Sequence, residues 1–202
     1  ARLYDEDGKK DVAKKWIEAA MSSSPQDSAV LLAAAQWYLG QNDIKTAQSI
    51  SEKALSIDAK SLEAKIVRGV VARVARDYAT AEKFFNDAHV QSPGNFPASN
   101  SLALVLIESD DKENQQRSLE MAEANVARYR ENSPQQVSAL TTLAWIYYKL
   151  GRREDAEKIL DQIARNNALS SDGAYYVAKL LNDRGEKDRA KTILERVLTN
   201  EA

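Results

Sequence analysis

Residues 143–160, LAWIYYKLGRREDAEKIL, decide the fold of this 202-residue chain. Part of the stretch, GRREDAEKIL at 151–160, resembles GEKDRAKTIL at 185–194, which lies 34 residues further along. The alanine inside this motif recurs at positions 13, 47, 81, 122, 156 and 190, so that the intervals are 34, 34, 41, 34 and 34. A fixed period of this length indicates a repeat architecture, in which each unit buries its apolar face against its neighbours.

Each repeat has the pattern of two amphipathic helices around a tight turn. Leu140, Ala144 and Tyr147 follow helical spacing, and a second apolar stripe begins at Ala156. Gly151 stands between the stripes, where glycine ends a helix in the left-handed conformation without steric cost. The chain contains only seven Gly and four Pro, which leaves too few turn residues for a β fold. The sequence therefore predicts an all-α protein.

The pattern resembles the tetratricopeptide repeat, and the resemblance extends over essentially the whole chain. In the second full repeat the residues that match this family are Gly69, Tyr78, Ala81, Phe85, Ala88 and Pro93. In the fourth repeat they are Leu140, Leu143, Ala144, Tyr147, Gly151, Ala156 and Leu160. The resemblance, which is to bacterial-type arrays, implies a right-handed superhelical solenoid of helix-turn-helix repeats.

We expect one tetratricopeptide domain over residues 1–202. Its predicted parts are a partial repeat at 1–27 and full repeats at 28–61, 62–95, 96–136, 137–170 and 171–202. The third repeat is longer by seven residues, which fall in the polar loop at 108–118. Because the pattern starts inside a repeat and stops without a polar capping helix, we expect a fragment of a longer array.

Composition argues against several classes of function. Lys and Arg total 28 against 30 for Asp and Glu, so the basic field typical of nucleic-acid binding is missing. With no Cys and one His, the chain lacks the ligands of a usual zinc site and the residues of a catalytic triad. It has no glycine-rich phosphate loop and no apolar run that would span a membrane. We expect neither an enzyme nor a cofactor or metal, but a soluble protein of the bacterial cytoplasm or of the periplasm and envelope.

The family resemblance implies a concave face, lined by the first helix of each repeat, that binds a peptide or a partner protein. Residues one step around each helix from the core stripe are predicted to line this groove. They are Leu32, Gln36, Ile66, Val70, Arg73, Asn100, Leu104, Thr141, Trp145, Tyr148, Tyr175 and Lys179. The set is mostly apolar and aromatic, which is unusual for a surface exposed to water.

Two questions stay open at this point. Trp145 and Tyr148 either line the groove or pack between neighbouring first helices. The predicted function is a non-catalytic protein-interaction scaffold. The alternatives are a self-association module, with homo-oligomers, or a regulatory, substrate-presenting region of a larger enzyme or of an envelope secretion or polysaccharide-assembly complex.

Overall fold

A computed structural model describes residues 10–131, 133–163 and 171–200 of the protein. Within these ranges every regular element is an α-helix, and none is a strand. The helices are α1 (Lys10–Ser23), α2 (Ser28–Gly40), α3 (Ile44–Ile57), α4 (Leu62–Val74), α5 (Tyr78–Gln91), α6 (Phe96–Leu106), α7 (Lys112–Arg128), α8 (Pro134–Lys149), α9 (Arg153–Ile163), α10 (Ser171–Asp183) and α11 (Lys187–Asn200). The chain divides into two compact units, residues 1–102 and 103–201.

Four helix pairs share one turn geometry. The pairs α2–α3 and α4–α5 lie in the first unit, and the pairs α8–α9 and α10–α11 lie in the second. Three residues join the helices of each pair, and the middle residue has a positive φ: 60° at Asn42 and Arg76, 75° at Gly151 and 85° at Gly185. The next amide donates to the carbonyl five residues earlier, as Arg152 N does to Tyr147 O at 2.8 Å. This closure satisfies the last carbonyls of the first helix and turns the chain back along it.

In two of the pairs, an aspartate side chain caps the first turn of the second helix. Asp43 accepts a hydrogen bond from the amide of Thr46, and Asp77 accepts one from the amide of Thr80, both at 3.1 Å. These hydrogen bonds hold the pKa of each aspartate below its usual value. An aspartate at this position satisfies an amide that the helix leaves unpaired.

Small residues occupy the centre of the helix pairs. Ala47, Ala81 and Ala122 are fully buried, and Ala156 is 1% exposed. Gly69 of α4 shows how tight the packing is, because a Cβ atom added there would lie 2.6 Å from Cε1 of the buried Phe85 ring in α5. Such a distance lies far inside ordinary van der Waals contact, so the aromatic ring occupies the space that any larger residue would need.

The first unit contains a buried arginine that contacts two neighbouring helices. Arg68 of α4 is only 7% exposed, and its Nη2 lies 2.9 Å from Oε1 of Glu52 in α3. Its guanidinium carbon also lies 5.6 Å from the centroid of the Phe84 ring in α5. The charged head therefore has both a carboxylate and an aromatic face as partners, which a buried charge requires.

The longer third repeat lengthens a helix and a loop. Helix α7 has 17 residues, against 14 in α3 and α5, and five residues separate it from α6. Asp111 caps α7 through the amide of Glu113 at 2.9 Å. The hydroxyl of Ser118, which is fully buried, donates to the carbonyl of Ala103 at 2.7 Å and ties α7 to the end of α6.

We predict that Gly69→Ala destabilises the protein by about 1–3 kcal/mol, because the new methyl group collides with the Phe85 ring. Gly40→Ala is the matched control, since nothing lies within 4 Å of the Cβ position at the end of α2. Urea unfolding followed by circular dichroism measures both free energies of unfolding. Equal effects at the two positions would contradict the close contact.

Candidate functional site

Four aromatic rings from α8 and α10 form one cluster in the second unit. Trp145 lies nearly parallel to Tyr148, with ring centroids 5.4 Å apart, and nearly parallel to Tyr176, at 4.7 Å. Tyr175 lies 6.4 Å from Trp145 and meets Tyr176 edge to face at 5.7 Å. These distances are those of favourable aromatic pairs, so the four rings stabilise one another and hold fixed positions. We call these four residues the aromatic cluster.

The aromatic cluster has a buried base and an exposed edge. Trp145 and Tyr176 are each 8% exposed, whereas Tyr148 is half-buried. Tyr175 is 54% exposed, although its ring contacts two other members of the cluster. A large aromatic side chain on a rigid support, open to solvent, has the properties of an interface anchor.

Polar groups border the exposed edge. The hydroxyl of Tyr148 donates to Oδ2 of Asp183, and this hydrogen bond raises the pKa of Tyr148 and lowers that of Asp183. Lys179 Nζ lies 3.7 Å from Oδ2 of Asp183 and 5.9 Å from the centroid of the Tyr148 ring. Asp183 therefore stays ionised and Tyr148 neutral near neutral pH, and the hydrogen bond between them fixes the orientation of the Tyr148 ring.

The structure corrects three predicted groove residues in the second unit. Leu104 is 7% exposed, Thr141 3% and Trp145 8%, so these three side chains are buried, which for Trp145 is the alternative that the sequence left open. Leu104 and Trp145 belong to the same core cluster, and the Thr141 hydroxyl donates to the carbonyl of Val137 at 2.8 Å within α8. Trp145 stacks on Tyr176 of the neighbouring helix α10, and Leu104 lies in the same core cluster.

The remaining predicted residues of the second unit lie at or near the surface. Tyr148 is half-buried, Tyr175 is exposed, and the Lys179 side chain is 39% exposed. The contacts with Trp145 and Asp183 bring these three residues together along one side of α8 and α10. They are the part of the predicted set that the structure assembles.

In the first unit, one further predicted groove residue is buried. Leu32 is 2% exposed and belongs to the core formed with Leu31 and Ala35, because α1, α3 and α4 surround α2. Gln36 is exposed there. The other predicted groove residues of this unit, each half-buried, are Ile66, Val70, Arg73 and Asn100. For the eight predicted residues that are not buried, a role in binding a partner stays a prediction.

Sequence reasoning missed one member of the aromatic cluster. Tyr176 lies one position beyond the predicted groove residue Tyr175, and its ring is the closest of the three to Trp145. The adjacent pair Tyr175–Tyr176 was the visible signal, because two neighbouring aromatics on a helix point about 100° apart and cannot both face the same side. One ring of the pair packs inward, and the other stays at the surface.

Two further features were sought in the described part of the chain. No group of three or more His, Asp or Glu side chains within them is placed to hold a metal ion. Among the described helices, none combines the length and the apolar character needed to cross a lipid bilayer.

Comparison with known proteins agrees with the geometry. A tetratricopeptide-repeat family model matches residues 115–180, which include most of α7, all of α8 and α9, and most of α10. Residues 115–180 therefore match the tetratricopeptide repeat. The family resemblance and the all-α fold class predicted from the sequence are both confirmed. Proteins built from these repeats are interaction scaffolds, generally non-catalytic, that bind proteins or peptides.

Solved structures with the same fold are distant in sequence. PilW, described as a widely conserved type IV pilus biogenesis factor, is 20% identical with a TM-score of 0.70, covering 98% of this chain and 89% of its own. A thermophilic tetratricopeptide protein of Thermus thermophilus is 16% identical with a TM-score of 0.69, covering 85% and 90%. YrrB, described as having an unusual peptide-binding site, is 18% identical with a TM-score of 0.55, covering 90% of each chain. The chain matches no curated protein.

We predict that Trp145→Ala lowers the free energy of unfolding by about 3–5 kcal/mol, because it removes a buried ring from between two others. Tyr175→Ala should cost about 1 kcal/mol or less, since more than half of that side chain already faces solvent. Urea titration followed by far-ultraviolet circular dichroism compares the two variants with the wild type. Similar losses in both would mean that Tyr175 is also a core residue.

Proposed function

We propose that the chain is a non-catalytic scaffold that binds an extended peptide segment of a partner protein at the exposed edge of the aromatic cluster. The observation that carries this proposal is Tyr175, which is 54% exposed while its ring rests on Trp145 and Tyr176. A single exposed tyrosine is ordinary on a protein surface. Tyr175 differs because its ring rests on buried aromatic rings, which hold it in place before a ligand binds.

Rigidity lowers the entropic cost of binding. A mobile side chain loses about 0.5–1.5 kcal/mol of rotamer freedom when an interface forms around it. Tyr148, by contrast, is already fixed by stacking on Trp145 and by its hydrogen bond to Asp183. Tyrosine offers a large apolar face and a polar tip with only two side-chain torsions, which suits it to contact a peptide.

The polar border places hydrogen-bonding groups beside the rings. Lys179 and Asp183 are each partly exposed, with 39% and 37% of their side chains open to solvent. Together they present a donor and an acceptor beside the rings, which is the arrangement of an apolar centre and a polar rim found at protein interfaces. An extended peptide has alternating backbone donors and acceptors that would meet such a rim.

Pilus biogenesis is the role stated for PilW, and peptide binding is stated for YrrB, and both proteins share 20% identity or less with this chain. Likeness at this level supports the fold. The choice of ligand class therefore rests on the exposed aromatic edge of the second unit.

The test is photocrosslinking from the exposed edge. With p-benzoylphenylalanine in place of Tyr175, we expect one discrete adduct with a partner polypeptide in cells that contain it. The same probe at Trp16, which is 58% exposed in the first unit, is the matched control and should not give that adduct. The partner segment identified by mass spectrometry is then synthesised, and its Kd is measured with the wild type and with Tyr175→Ala.

We expect Tyr175→Ala to weaken binding of this segment by roughly tenfold or more, as loss of an aromatic anchor does. An unchanged Kd would overturn the proposal. An adduct between two copies of the chain would favour the alternative of a self-association module.

A further inference from the structure

A small pocket lies behind Tyr148 in the second unit. The side chains of Ala156, Leu160 and Leu180, at most 6% exposed, form its apolar base, and the ring of Tyr148 forms one wall. The pocket measures about 420 Å³, including the part open to solvent. Tyr148 therefore belongs both to this pocket and to the aromatic cluster.

Charged residues surround the opening, and most of them have partners within the protein. Asp183 accepts from the hydroxyl of Tyr148 and pairs with Lys179. Arg184 pairs with Glu186, with Nε 2.9 Å from Oε1. These contacts fix the positions of the rim groups, although each group keeps part of its donor or acceptor capacity.

Arg153 and Glu157 differ from the other rim residues. Both are exposed and line the pocket one turn apart on α9, and in the described part of the chain neither side chain makes a hydrogen bond or an ion pair. The charge of Arg153 does act on Asp183 across the rim, where it helps to lower the pKa of that carboxylate. One is a donor only and the other an acceptor only, and their charges cancel. The two therefore offer a ligand one donor and one acceptor without favouring a net charge.

We propose that the pocket holds one aliphatic side chain of an extended peptide, while Arg153 donates to a backbone carbonyl beside that residue and Glu157 accepts from a backbone amide. The ligand class rests on the proposed function, whereas the pocket and its rim are independent observations. An internal peptide residue carries a carbonyl and an amide on either side of its side chain, which matches a base of methyl groups flanked by a donor and an acceptor.

The rim favours an internal residue over a chain end. A free carboxylate would gain from Arg153, but it would also lie close to Glu157, where like charges repel. An internal residue has no net charge and meets no such penalty. The apolar base equally disfavours a polar side chain, which would lose its water without gaining a hydrogen-bond partner.

The test uses three small probes with the full chain labelled with ¹³C at its methyl groups. N-acetyl-leucine methylamide represents an internal residue, N-acetyl-glycine methylamide lacks the side chain, and N-acetyl-leucine ends in a free carboxylate. We expect the leucine methylamide to shift the methyl signals of Leu160 and Leu180 in a saturable way. The glycine compound should leave these signals unchanged, and the free acid should bind more weakly.

Rim variants test the polar contacts. Arg153→Ala and Glu157→Ala should each weaken binding of the leucine methylamide by roughly two- to tenfold, the range expected for one net hydrogen bond. Lys158→Ala is the control, because its side chain on the same helix is 75% exposed and pairs with Asp155 away from the pocket.

Three outcomes would overturn the inference. Tighter binding of the free acid would assign the pocket to a chain terminus. Equal shifts with the glycine compound, or none with any probe, would mean that the pocket does not select a side chain. Because these probes report on the pocket without a protein partner, failure here would leave the proposal for Tyr175 standing, and loss of the crosslink at Tyr175 would leave this result unaffected.

Discussion

Close packing at small residues is the constraint on which each helix pair depends. Ala47, Ala81 and Ala122 are fully buried at equivalent positions, and Ala156 is nearly so. At Gly69 the fit to the neighbouring Phe85 ring leaves no room even for a methyl group. Because a small side chain lets two helices lie close together, these residues set how near the helices pack and which side chains surround the contact. This packing requirement explains why the small residues recur at a spacing of 34 residues in the sequence.

The aromatic cluster follows from the same packing. Once α8 and α10 lie side by side, Trp145 has no exposed position and stacks against Tyr148 and Tyr176. Tyr175 is left at the edge, where the buried rings support it. The exposed site and the core are thus parts of one set of ring contacts. Such a site is preorganised, and changes in its base would affect stability and binding together.

The sequence predicted the fold because the repeat period and the buried small residues are consequences of the packing itself. It did not predict which aromatic side chains are covered. Helical spacing gives the direction in which Trp145 points from its own helix. Whether Trp145 is buried depends on how close the neighbouring first helix lies. That distance is set by tertiary packing, which the spacing of residues within one helix does not reveal. The same reason applies to Leu104 and Leu32. Arg68, a charged residue, is buried because Glu52 and Phe84 supply its partners.

The role of close packing at the small residues is tested most directly by comparing the free energies of unfolding of Ala156→Leu and Ala33→Leu. Both alanines lie in helices, but Ala156 is 1% exposed whereas Ala33 faces solvent. If close helix contact at the small residues determines the fold, Ala156→Leu costs about 1–3 kcal/mol or more, and Ala33→Leu changes stability by about 0.5 kcal/mol or less. Equal stability of the two variants would contradict the account.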